Sequence, residues 1–154
     1  MRGDVPAVEQ LLSNPGVDVN SAETGDTALG TAAAYNRLEL VQLLLRRGAD
    51  PNVAGSENLT ALESAAYHGY AEVVKLLLGA GAGVNAAEGR YGYTPLASAA
   101  FNGHIDVIRL LLDAGADREV RINDGRTALQ LAQHRGHLDA AKVLMFYREG
   151  TGVR

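Results

Sequence analysis

TPLASAAFNGHIDVIRLLLDAGAD, residues 94–117, reads as two short helices with the turns that frame them. Thr94 is placed where a hydroxyl caps the first free amides of a helix, and Pro95 takes the first helical position, where a missing N–H costs nothing. A helix therefore starts there. Nine residues on, Gly103 supplies the left-handed conformation that ends helices, so this first helix is only about two turns long. Ile105 to Leu112 then carries apolar residues at helical spacing, with Gly115 just past its end.

The same pattern recurs along the chain. Thr27-Ala28-Leu29, Thr60-Ala61-Leu62, Thr94-Pro95-Leu96 and Thr127-Ala128-Leu129 have threonines 33, 34 and 33 residues apart. Leu43-Leu44-Leu45, Leu76-Leu77-Leu78 and Leu110-Leu111-Leu112 repeat in step, each followed by Gly-Ala at Gly48, Gly81 and Gly115. Asn36, Gly69, Gly103 and Gly136 occupy the inter-helix turn. Two independent marks with one period define an array of helix-turn-helix units.

Composition agrees with a packed chain and removes several function classes. At 154 residues there is room for one domain, and 47% hydrophobic against 21% charged residues excludes a disordered tail. Lys and Arg number 14 against 18 Asp and Glu, so the net charge of −4 repels a polyanion, and nucleic acid is a poor partner. With no cysteine there is no disulfide, thiolate nucleophile or cysteine-ligated metal. No apolar run is long enough to span a membrane, and the first twenty residues lack a leader pattern. The expectation is a cytoplasmic protein without cofactors.

With its period, its TALGTA, TALESA, TPLASA and TALQLA stretches, and GAD, GAG and GAD after the second helices, the sequence resembles the ankyrin repeat family over nearly its whole length. The resemblance implies an all-α repeat, a solenoid of helix-turn-helix units joined by β-hairpin-like loops. The chain is then a single repeat domain, 1–154, with a half-repeat at 1–20 and repeats at about 21–53, 54–86, 87–119 and 120–150. In the half-repeat Gly3-Asp4 fits the turn and Leu11-Leu12 the second helix, and no first helix is visible. The family's motif histidine is replaced in all four units, by Gly30, Glu63, Ala97 and Gln130. Its ties between neighbouring turns should be missing or rebuilt. Glycine at Gly30 and the incomplete first unit make the N-terminal end the softer one.

Family geometry implies a concave groove of hairpin tips and first helices. Its residues here are Glu23, Thr24, Asp26, Ala34 and Tyr35; Ser56, Glu57, Leu59, Tyr67 and His68; Arg90, Tyr91, Tyr93, Phe101 and Asn102; Asn123, Asp124, Arg126, His134 and Arg135. Five of the eight aromatics in the chain fall in this set, and aromatics with Arg dominate interface energetics. The enrichment points to a partner-binding groove centred on the third and fourth units. The alternative for any one ring is filler against the adjacent hairpin. Charge runs from acidic (Glu23, Asp26, Glu57) to more basic (Arg90, Arg126, Arg135), a pattern that a solvated face also produces.

Other motifs carry less. His104 and His137 fall in the inter-helix turn, where imidazole satisfies backbone groups, and Gly136 separates His134 from His137, which argues against a zinc pair. Gly79 to Gly83 follows a helix and lacks a Lys-Ser or Lys-Thr, so it is no phosphate loop. Asn58-Leu59-Thr60 and Arg2-Gly3-Asp4 match short motifs whose Thr and Gly are explained by capping and turning. Glu23 with Asp26, or Asp117 with Asp124, lacks the water-poor pocket that acid-base chemistry needs.

The expected function is therefore non-catalytic: a protein-interaction module, acting as adaptor, scaffold or steric inhibitor on another protein or extended peptide, and monomeric apart from possible self-association through the N-terminal edge. The alternative is a regulatory or targeting fragment of a larger multidomain enzyme or channel. An uncapped apolar N-terminal edge favours that alternative, and the tail Arg148 to Arg154 favours a free-standing chain.

Overall fold

The computed structural model describes residues 5–23, 25–87, 89 and 91–148. After α1 (Val5–Leu11), helices come in pairs: α2 (Ala28–Ala34) with α3 (Leu38–Arg46), α4 (Ala61–His68) with α5 (Ala71–Gly79), α6 (Pro95–Asn102) with α7 (Ile105–Asp113), and α8 (Ala128–His134) with α9 (Leu138–Phe146). The pairs stack in two rows: α2, α4, α6 and α8 form an inner row of short helices, and α3, α5, α7 and α9 an outer one. α1 packs on α3, as the second helix of a half-unit should.

Local chemistry sets each boundary. Thr27, Thr60, Thr94 and Thr127 are buried, and each hydroxyl accepts from the amide three residues on: Gly30, Glu63, Ala97 and Gln130. Only Thr127, among the described residues, has a full capping box, because Gln130 reaches back to accept from the Thr127 N–H at 3.0 Å. Asn36, Gly69, Gly103 and Gly136 all have positive φ, between 53° and 78°. Ala32, Ala33, Ala65, Ala66, Ala99, Ala100 and Ala132 are fully buried, so the inner helices approach closely. Leu44, Leu77, Leu111 and Leu144 fill the space between rows.

Neighbouring units are tied by polar side chains at the same period. Asn20 accepts from the Asp50 amide at 2.8 Å, Asn52 from the Gly83 amide at 2.8 Å, and Asn85 from the Asp117 amide at 2.8 Å. Asn52 also donates to the Gly81 carbonyl at 3.2 Å. Truncating Asn52 to alanine should cost about 1 kcal/mol, since the loop amides regain water only in part. Urea denaturation measures it, and an unchanged midpoint would mean the loops stack without this tie.

At the inter-helix turn two histidines reach back to the preceding unit. His104 Nε2 lies 2.9 Å from the Tyr67 carbonyl, and His137 Nε2 lies 3.1 Å from the Phe101 carbonyl. A carbonyl only accepts, so each ring donates from Nε2. The connecting loops are less regular than hairpins. Among the described residues one antiparallel bridge forms, Arg121 with Thr127, while the loop before α4 contains a 3-10 turn at Ser56–Asn58 with Glu57 and Asn58 at positive φ.

Candidate functional site: an aromatic cleft with a buried carboxyl

The expected groove residues differ in their surroundings. Tyr35, Tyr67 and Tyr91 are exposed, Tyr35 most of all at 67%. Tyr93 and Phe101 are half-buried against a small cluster of Ala97, Ile122 and Leu131. The filler reading therefore applies in part to these two rings. Tyr93 meets Tyr91 edge to face at 6.4 Å and Phe101 at 5.9 Å. The Arg135 guanidinium covers Phe101 at 4.4 Å from its centroid, so one face of the aromatic surface already holds a cation.

Several charged members have structural duties. Asp26 accepts from the Ser56 amide at 3.0 Å and from its hydroxyl, joining the first loop to the second. Asp124 pairs with Arg126 within one loop, which holds its carboxyl below the usual range, mainly through the side-chain hydrogen bond. His68 meets its own helix carbonyl at Ser64 and stacks on Tyr70, and Asn102 donates to the Ser98 carbonyl. Glu23, Glu57 and His134 are exposed, and Leu59 is half-buried. Thr24 and Arg90 lie outside the described residues, as do Gly3-Asp4 of the half-repeat turn. Of the acidic-to-basic gradient, Asp26, Arg126 and Arg135 are engaged locally, while Glu23 and Glu57 stay exposed.

One cleft gathers the aromatics. It spans about 280 Å³ between the second and third units, and Glu57, Leu59, Glu63, Tyr67, Gly89, Tyr91, Tyr93, Ser98 and Phe101 line it. Glu63 is the residue the sequence reading missed. It entered there only as a replacement for the motif histidine, although a lone acid in the otherwise small and apolar ALESAA stretch was the available signal. Glu63 is 5% exposed. Thr60 and Glu63 have capping-box spacing, yet the carboxyl does not turn back as Gln130 does; it faces the cleft instead, without a hydrogen-bond partner among the described residues. Burial raises its pKa to about 7. Burial also pushes the Tyr93 phenol up, the largest of several influences.

Gly89 opens this carboxyl to the cleft. A Cβ there would stand 3.1 Å from Leu59 Cδ2 and 3.4 Å from Glu63 Oε1. Among the described residues no basic side chain lines the cleft, and no cluster of three or more His, Cys, Asp or Glu is placed to hold a metal ion. No helix among them is long and apolar enough to cross a membrane.

Comparison with known families agrees with the stacked architecture. A family model described as ankyrin repeats (3 copies) matches residues 1–88 and again 80–153. Ankyrin repeats are, in general, protein-interaction modules. Period, caps, two-row stacking and this match lead to one conclusion: the chain belongs to the ankyrin repeat family.

Proposed function

We propose that this chain is a non-catalytic adaptor, scaffold or steric inhibitor inside the cell, gripping a protein partner along its inner edge. The observation that carries this reading is the concentration of exposed Tyr67 and Tyr91 around half-buried Tyr93 and Phe101, with Arg126 beside Tyr91 and Tyr93 and Arg135 over Phe101. Rigid rings on a preformed surface lose little entropy on binding, and a polar rim gives register. Glu23, Asp26, Tyr35, Glu57, Leu59, His68, Arg90, Asn102, Asp124, His134 and Arg135 complete the proposed contact surface.

Affinity capture from the source cell tests it, comparing the native chain with a Tyr67→Ala, Tyr91→Ala variant. Both side chains are exposed, so the fold should persist, while loss of two anchors should cut affinity by about tenfold or more. Tyr93 and Phe101 are less suitable, because they also pack on Ile122 and Leu131. Unchanged capture would remove the groove assignment.

A second reading, a docking arm within a larger assembly, is favoured by one feature. Beside α1 an apolar cleft of about 480 Å³ lies between Val8, Ala28, Ala32, Tyr35, Leu40 and Leu44. Sedimentation of the isolated chain separates the two: a monomer at all concentrations supports the free-standing module, and self-association through this edge supports the arm.

A further inference from the structure

We propose that the cleft between the second and third units receives a lysine side chain of the protein partner, with Glu63 as its counter-ion and Tyr67, Tyr91 and Tyr93 as walls. The inference rests on the groove reading above and specifies what enters it. Its first support is the carboxyl itself: Glu63 is largely buried, keeps contact with solvent only through the cleft and has no hydrogen-bond partner among the described residues, so its ionised form is poorly solvated in the free protein. An ammonium group removes that cost by ion pairing and hydrogen bonding.

The second support is the aromatic wall. Ring faces attract cations, and lysine buries its four-carbon stem along apolar surface while its head seeks charge. The cleft brings both together, since Tyr67, Tyr91, Tyr93, Phe101 and Leu59 line it along with Glu63. Arg135 over Phe101 shows the same attraction already satisfied within the chain. Exposed Glu57 at the rim adds a second negative charge that favours approach of a cation.

Among the described residues few other titratable groups face Glu63. α2 and α6 carry none, Tyr67 and His68 lie on α4 itself, and Glu72 and Lys75 of α5 pair with each other in solvent. Glu57, Tyr91 and Tyr93 come from the loops, with Arg126, Arg135 and Asp124 acting on Tyr93. Binding of an ammonium requires the ionised carboxylate, so affinity should rise between about pH 6 and 8, as Glu63 loses a proton whose pKa is about 7.

The test is an NMR titration of the full chain with an acetylated, amidated Gly-Ser-Gly-Lys-Gly-Ser-Gly peptide, beside the same peptide with norleucine for lysine. The lysine peptide should shift the amides of Gly89, Tyr91, Tyr93 and Phe101, more strongly at pH 8 than at pH 6, and the norleucine peptide should not. Glu63→Gln keeps shape and removes charge; it should weaken the lysine peptide by about tenfold. Amide dispersion of the variant verifies that it is folded. Equal binding of norleucine, no shift at these amides, a flat pH profile, or unchanged affinity in Glu63→Gln would each overturn the lysine assignment. Partner capture that still depends on Tyr67 and Tyr91 would then leave the groove reading standing, whereas its independence from both would sink that reading separately.

Discussion

Glu63→Gln is expected to stabilise the protein by about 3 kcal/mol at pH 8 and to leave it within about 1 kcal/mol of the native chain at pH 4. The carboxyl has an ordinary pKa of 4.5 when unfolded and about 7 when folded. Between these values the native state binds the proton more tightly, so stability is full below about pH 4.5 and declines as pH rises to about 7. Above that it stays at the lower level. Glutamine has no proton to lose, so its stability lacks this slope. The positive end of α4 acts against the effect, because Glu63 is in the first turn, but such dipole terms reach only about 0.3–1 kcal/mol and do not reverse the sign. Asp124, whose pKa is lowered, acts in the opposite direction at acid pH and cancels in the difference between the two proteins. Urea denaturation of both chains from pH 4 to 8 measures the gap. A gap that is constant across this range would mean that Glu63 titrates as a solvated acid, and the cleft would lose its defining feature.

Gly103→Ala should cost about 3 kcal/mol, against about 1 kcal/mol for Gly115→Ala. Both glycines have positive φ, 73° and 87°, so both substitutions carry the left-handed penalty of an L side chain. They differ in what the new methyl meets. At Gly115 nothing stands within 4 Å, while at Gly103 the methyl would be 2.7 Å from His137 Cγ. The imidazole must move, and its bond to the Phe101 carbonyl goes with it. A double-mutant cycle isolates this: in a His137→Ala background the Gly103→Ala cost should fall to about 1 kcal/mol. Additive costs would show that the ring yields freely and that the histidine tie carries no stability.

The same pairing explains a regularity that the sequence alone left unread. Gly69 lies under His104 as Gly103 lies under His137, whereas the second unit has Tyr70 in place of histidine and the first has Asn36 in place of glycine. A glycine in one unit thus accommodates the histidine of the next. Asparagine tolerates the left-handed conformation, so it serves where no imidazole presses on the turn.

Helix positions, caps, turns and stacking order were legible because each depends on residues a few positions apart, and repetition multiplies the signal. Thr94, Pro95, Gly103 and the leucine triplet are examples, each doing what its type dictates locally. The environments of the expected groove residues were not legible in the sequence. Asp26 and Asp124 looked available and are engaged in bonds within and between loops, while Tyr93 and Phe101 divide themselves between surface and core.

By itself the sequence determined an ankyrin array: its period fixes the units, and an isolated unit cannot bury its own apolar faces, so stacking follows. Only the tertiary structure decided where polar groups finish. Glu63 becomes a largely buried, raised-pKa acid because a loop some thirty residues away brings Tyr91 and Tyr93 around it and reduces its solvation, while Gly89 leaves it open to the cleft. Desolvation is a property of everything that surrounds a group, and no local pattern encodes it.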